Sequence, residues 1–241
     1  MLRRNAFGAV ALFWLVAGVG AQASSLRVSP VIVDLPTHAA AATLSLRNDG
    51  LAPLNIQARV FRWVQSNGSE RLEQTDEVVA SPPLATLRPK ADYALRLVRV
   101  SKAPINGEAS YRVLVDELPD PAARRPGVVT LLVRQSIPIF FSGATAAPPS
   151  VSWSAALRGK SLILTAQNAG DRRLRISALT VSLNGQLLAR NDGLLGYVLG
   201  HSTMRWTLPL RRAGAYRGPI EIIATSDSGP VRAKATLGRS N

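Results

Sequence analysis

The sequence predicts an all-β protein built as two tandem β-sandwiches. Three observations carry that expectation. Short runs of alternating apolar and polar residues recur with turn residues every 8–12 positions. A small, uncharged, proline-bearing stretch at 143–150 interrupts the pattern, which then restarts. No segment sustains apolar residues at helical spacing without a glycine or proline inside it.

The elements follow in order. Residues 1–23 read as an export signal: Arg3 and Arg4, an apolar stretch from Ala6 to Val19, then Ala21-Gln22-Ala23 as a small-x-small cleavage pattern. The apolar stretch is about 14 residues, short of the roughly 20 that a spanning helix needs. The expectation is cleavage after Ala23 and a soluble, periplasmic protein without stable membrane insertion. Residues 26–35 form the opening strand. Residues 43–46 alternate into the turn Asn48-Asp49-Gly50. Along 54–64, Leu54, Ile56, Ala58 and Val60 share one face, and Ser66-Asn67-Gly68 closes a hairpin. Strands at 84–87, 93–100 and 111–118 are set off by Pro82-Pro83 and Pro89-Lys90. After the loop 119–127 comes the long strand 128–141. About seven strands in this half give an immunoglobulin-like sandwich. The expected division is 1–23 signal, 24–143 first domain, 144–150 linker and 151–241 second domain. In the second, Asn168-Ala169-Gly170 between apolar strands echoes Asn48-Asp49-Gly50 in the first.

Composition narrows the function. With no cysteine, neither disulfides nor thiolate metal sites form. His38 and His201 are the only histidines and stand alone, which predicts no metal site and no cofactor. No nucleophile-elbow, phosphate-loop or dinucleotide motif occurs, so no catalytic residue is assigned. Asp116 and Glu117 point to opposite faces of one strand, which favours a strand-end salt bridge over a shared-proton pair. The net charge of +14 falls to +12 without Arg3 and Arg4 and suggests acidic partners; export argues against nucleic acid.

Strand 128–141 is the unusual element. Val129, Leu131, Val133, Ile137 and Ile139 fall on one face, and Leu132, Pro138 and Phe140 on the other. Apolar residues on both faces fit a doubly buried core strand. They equally fit an edge strand that lends one face to a partner while Leu132 packs in its own sandwich. Pro138 has no N–H to give a ladder, which favours an edge.

The chain resembles the PapD-like periplasmic chaperones of the chaperone–usher pathway, and most of all their archaic branch, which serves spore-coat-U-type subunits. The likeness rests on 26–35, 44–50 (LSLRNDG), 80–84 (ASPPL), 87–89 (LRP), 95–99 (LRLVR), 111–119 (YRVLVDELP), 136–141 (SIPIFF), 193–199 (GLLGYVL) and Arg205-Trp206. It implies a boomerang of two sandwiches, no catalysis, and pilus or fimbrial subunits and an outer-membrane usher as partners. By position, Val129, Leu131 and Val133, with Ile137 and Ile139 beyond them, would be the donor-strand residues that fill a subunit's open groove. Better-known members hold the subunit's C-terminal carboxylate with an arginine and a lysine; those positions are Pro30 and Pro138 here. The family's interdomain glutamate corresponds to Glu108 and its arginine to Ser142, so that bridge is expected to be missing. The exposed edge could also be capped by self-association. The alternative reading is an exported basic module for anionic glycan or lipopolysaccharide. On the export reading, N-terminal sequencing of protein from a periplasmic fraction finds Ser24 first; a full-length, membrane-extracted product would overturn it.

Overall fold

A computed structural model describes residues 25–36, 38–119, 131–214 and 216–239. The described residues hold strands and turns with no helix. Ten strands precede the linker: β1 (Leu26–Ser29), β2 (Val33–Pro36), β3 (Ala41–Asn48), β4 (Leu54–Ser66), β5 (Ser69–Gln74), β6 (Val78–Ser81), β7 (Leu84–Leu87), β8 (Asp92–Arg99), β9 (Glu108–Glu117) and β10 (Arg134–Ser142). They form one sheet ordered β1-β3-β8-β6 and a second ordered β2-β10-β9-β4-β5, with β7 beside β4.

Period-two alternation puts the core between these sheets. Leu44 and Leu46 of β3 and Leu95 and Leu97 of β8 face Ile56, Ala58, Val113, Val115, Ile137, Ile139 and Phe141 from the opposite sheet, all buried. The predicted opening strand is in fact two. Pro30, with no N–H, ends β1, and the chain crosses over so that β2 joins the other sheet parallel to β10. The hairpin at Asn67 and Gly68 has φ of 55° and 82°, the left-handed pair that a two-residue turn requires.

Seven strands follow: β11 (Val151–Arg158), β12 (Ser161–Asn168), β13 (Leu174–Leu183), β14 (Gln186–Val198), β15 (Thr203–Pro209), β16 (Pro219–Ser226) and β17 (Gly229–Arg239). Their order is β14-β13-β16-β17-β11-β12-β15. The β17–β11 junction is parallel and only three residue pairs long. Across it, Leu162 and Leu164 of β12 meet Ile176, Val181, Ile220 and Ile222 in one buried cluster.

The echo between the halves has a structural cause. Asn48 and Asn168 are both buried at strand ends and do the same work. The Asn48 amide donates to the Ala52 carbonyl (2.8 Å) and the Leu87 carbonyl (3.1 Å), and its oxygen accepts from the Gly50 N–H (2.8 Å). The Asn168 amide donates to Arg172 (2.7 Å) and Leu199 (3.2 Å), and its oxygen accepts from Gly170 and Ser150 (both 3.0 Å). A side chain at 170 would sit 2.1 Å from the Pro148 carbonyl oxygen, so that residue must be glycine. Each buried polar group left unpaired costs about 1–3 kcal/mol. Asn168→Ala is therefore expected to lower unfolding stability by ~2–4 kcal/mol in denaturant titration. A loss below about 0.5 kcal/mol would mean that water replaces the amide.

Candidate functional site

The site begins with an incomplete sheet. β9 flanks β10 along its whole length, from Arg134 opposite Asp116 to Ser142 opposite Glu108. On the other side β2 covers only Ile139–Ser142. From Arg134 to Pro138 the strand has a neighbour on one side alone among the described residues, which is an open edge.

The predicted strand residues divide along this boundary. Val129 lies outside the described residues. Leu131 is 80% exposed, and Val133 is half-buried. Ile137 and Ile139 are buried in the first sandwich's own core, which corrects their assignment as groove-filling residues: where the opposite sheet covers the inner face, no partner reaches them. Leu132 is corrected as well. It is 47% exposed because it precedes β10, where among the described residues only Val133 still bonds to β9, through the Glu117 N–H (3.0 Å). Burial therefore differs along the predicted strand. The C-terminal half is doubly buried, and the exposed apolar residues precede it.

Charge fixes the start of the edge. Asp116 on β9 accepts from Arg59 on β4 (2.7 Å) and from Arg134 on β10. Burial alone would push the Asp116 carboxyl up, but the hydrogen bonds and charges of the two guanidiniums win and hold it below the usual carboxylate range. The pair of acids expected to make a strand-end salt bridge does so through Asp116.

The outer face of this sheet meets the second sandwich. Trp63, Phe140, Tyr197 and Leu199 form a separate buried cluster, with ring centroids 5.3–5.9 Å apart. Gln65 stitches it: its amide donates to the Tyr197 carbonyl, and its oxygen accepts from the Leu199 N–H, both at 2.9 Å. At the tip of the β4–β5 hairpin, Gly68 O accepts from Arg205 N at 3.1 Å.

An ion cluster closes the other flank. Glu108 on β9, with its side chain 1% exposed, accepts from Arg173 Nη1 at 2.5 Å and from the Arg173 backbone N–H at 3.0 Å. Ser142 Oγ also donates to it, at 3.2 Å. Arg173 reaches Asp34 on β2 at 2.5 Å and lies 3.6 Å from the Phe140 ring centroid. The expectation that this interdomain bridge is missing is therefore corrected. The bridge is present, with an arginine from the second sandwich in place of one at position 142. Sequence alignment missed it because the partner comes from another part of the chain.

One more cation belongs to this face. Arg112 lies directly opposite Pro138, 3.8 Å from the Trp63 ring centroid. Burial pushes its guanidinium below its usual value, and Glu70 stands 3.8 Å away. His38 is exposed, and His201 pairs with Asp171 at 2.7 Å. Among the described residues no cluster of His, Cys, Asp or Glu is arranged to hold a metal, and no helix is long and apolar enough to cross a membrane.

An open sheet edge with exposed leucines beside it, on a pair of packed sandwiches, is the kind of surface to which another chain can add a strand. The comparisons carry this further. Residues 25–146 match the family model for the pili and flagellar-assembly chaperone, PapD N-terminal domain, and the chain belongs to that family. The family is one of chaperones rather than enzymes.

Among solved structures, the chain is similar to one of the archaic Csu pili of Acinetobacter baumannii, the chaperone–tip adhesion subunit pre-assembly complex CsuC–CsuE. It is 25% identical with a TM-score of 0.66, over 90% of this chain and all of that one. It is also similar to a structure of the Salmonella enterica SafA pilin in complex with the SafB chaperone (20% identity, TM-score 0.60, 88% of this chain and 97% of that one). The Escherichia coli chaperone DraB matches at 21% identity and a TM-score of 0.59, over 89% of this chain and 97% of that one. No curated protein sequence matches the chain. The chaperone reading is favoured over the module for anionic glycan or lipopolysaccharide.

Removing one partner of a buried ion pair leaves the other charge stranded, at a cost of about 3–5 kcal/mol. Arg173→Met is expected to destabilise the protein by roughly that amount, measured by chemical denaturation. Arg173→Met with Glu108→Gln should recover part of it, and a double variant no better than the single would show that the pair is not coupled.

Proposed function

We propose that this protein is a periplasmic chaperone that binds pilus or fimbrial subunits by donor-strand complementation and delivers them to an outer-membrane usher. The observation that carries the reading is the open edge of β10 beside the exposed Leu131. The exported state, with cleavage after Ala23, and the division into 24–143, 144–150 and 151–241 belong to the same proposal.

In this reading the backbone of Arg134–Pro138 and the residues just before it supplies the added strand. Val129, Leu131 and Val133 enter the subunit's groove, while Ile137 and Ile139 stay in the chaperone's own core and hold the donor segment in register. An apolar side chain moved from water into a dry groove contributes about 1.5–3 kcal/mol, so no ATP or cofactor is required. Arg112 is the cation set against Pro138, and it suits a subunit carboxylate. A partner that lays its terminus across this face would meet a charge only weakly neutralised by Glu70.

The test is co-purification with the cognate subunit from periplasm, together with thermal melting. Leu131→Arg is expected to melt like the wild type, because the side chain is in water. It should lose subunit binding at least ~10-fold, because an unpaired charge does not enter an apolar groove. Ile139→Arg should fail to fold. Wild-type subunit capture by a folded Leu131→Arg protein would overturn the reading.

A further inference from the structure

The charge of this protein is uneven. Residues 151–241 hold 13 of the 29 Lys and Arg residues but only 4 of the 15 Asp and Glu. Much of the excess gathers at one place. β11 runs from Val151 at the linker to Arg158, roughly 25 Å away at the far end of the second sandwich. There the β11–β12 turn meets the segment after β15: Ser161 lies opposite Pro209, and the Leu210 N–H donates to the Lys160 carbonyl at 3.0 Å. The Arg211 N–H reaches the Leu188 carbonyl (2.8 Å), and the Leu237 N–H reaches the Gly218 carbonyl (3.3 Å). These bonds bring Arg158, Lys160, Arg211, Arg212 and Arg217 to one pole.

All five are exposed, and none pairs with a carboxylate among the described residues. The segments that build the pole, 158–161, 183–188 and 209–219, contain no Asp or Glu. A surface of one sign raises the local concentration of the opposite charge and steers anionic partners to it.

We propose that this pole is a docking surface for an anionic phospholipid bilayer, held by charge and without insertion. Three features favour a lipid surface over an acidic protein. First, no large apolar side chain is exposed in the segments of the pole, whereas protein interfaces are anchored by buried aromatic or aliphatic residues. Second, the one aromatic side chain of these segments, Tyr216, is half-buried against the second sandwich's core, and its hydroxyl is taken by the Arg212 carbonyl at 3.1 Å. Third, the cations sit on separate turns at the end of a sandwich, a spread that suits many headgroups rather than one ligand. A second copy of the chain would bring like charge.

The test is co-sedimentation of the mature protein with vesicles of phosphatidylcholine alone and of phosphatidylcholine with phosphatidylglycerol, at about 50 and 300 mM salt. Binding is expected only to the anionic vesicles, and is expected to fall at least ~10-fold at the higher salt. Arg211→Glu with Arg212→Glu should weaken binding by ~10-fold or more, with unchanged melting and unchanged subunit capture. Arg88→Glu with Arg96→Glu makes the same charge change on exposed first-domain residues and should leave vesicle binding within about twofold of wild type. The proposal fails if the wild type does not bind anionic vesicles. It also fails if the two charge-reversed proteins lose binding equally, or if soluble polyglutamate competes the protein off at equal charge concentration.

Discussion

Arg173 ties the two sandwiches together. Its guanidinium spans Glu108 on β9 and Asp34 on β2 and stacks on Phe140 of β10, so one side chain from the second half touches three strands of the first. Its own backbone N–H completes the Glu108 carboxylate. A buried charge pair is worth little as net stability but is very costly to break, so it acts as a geometric constraint. Together with the Trp63, Phe140 and Tyr197 cluster and the Gln65 bonds, it fixes the angle between the sandwiches from two sides.

That constraint explains how one strand is sealed along part of its length and open along the rest. From Ile139 onward β10 is sealed on both edges and both faces, by β2, β9, the opposite sheet and the second sandwich. Such anchoring leaves the preceding residues free to be exposed and apolar without unravelling the sheet. The sealed stretch and the open edge therefore meet at Pro138, a residue with no N–H.

An open edge is also a hazard, since any exposed strand can take it up. Here Arg134, bound to Asp116, and Arg59 beside it put charge at the start of the edge. Pro138 interrupts the ladder at its end. The remaining window is short, which restricts pairing to partners whose side chains also fit.

The sequence by itself determined the fold class, because the alternation of Leu44 with Leu46 or of Leu162 with Leu164 is a local property of a strand with one buried face. It also determined the tandem arrangement, because Asn48 and Asn168 fold their own next few residues into the same turn. The absence of cysteine likewise left both cores to be held by packing alone. Only the tertiary structure decided which part of 128–141 is core, since alternation is the same whether a face meets its own sheet or water. That is why Ile137 and Ile139 read like Leu131 in the sequence and differ in burial. Only the tertiary structure paired Glu108 with Arg173, 65 residues away, or set Arg112 against Pro138. Charge contacts of that kind depend on which strands become neighbours, and short-range pattern carries no record of it.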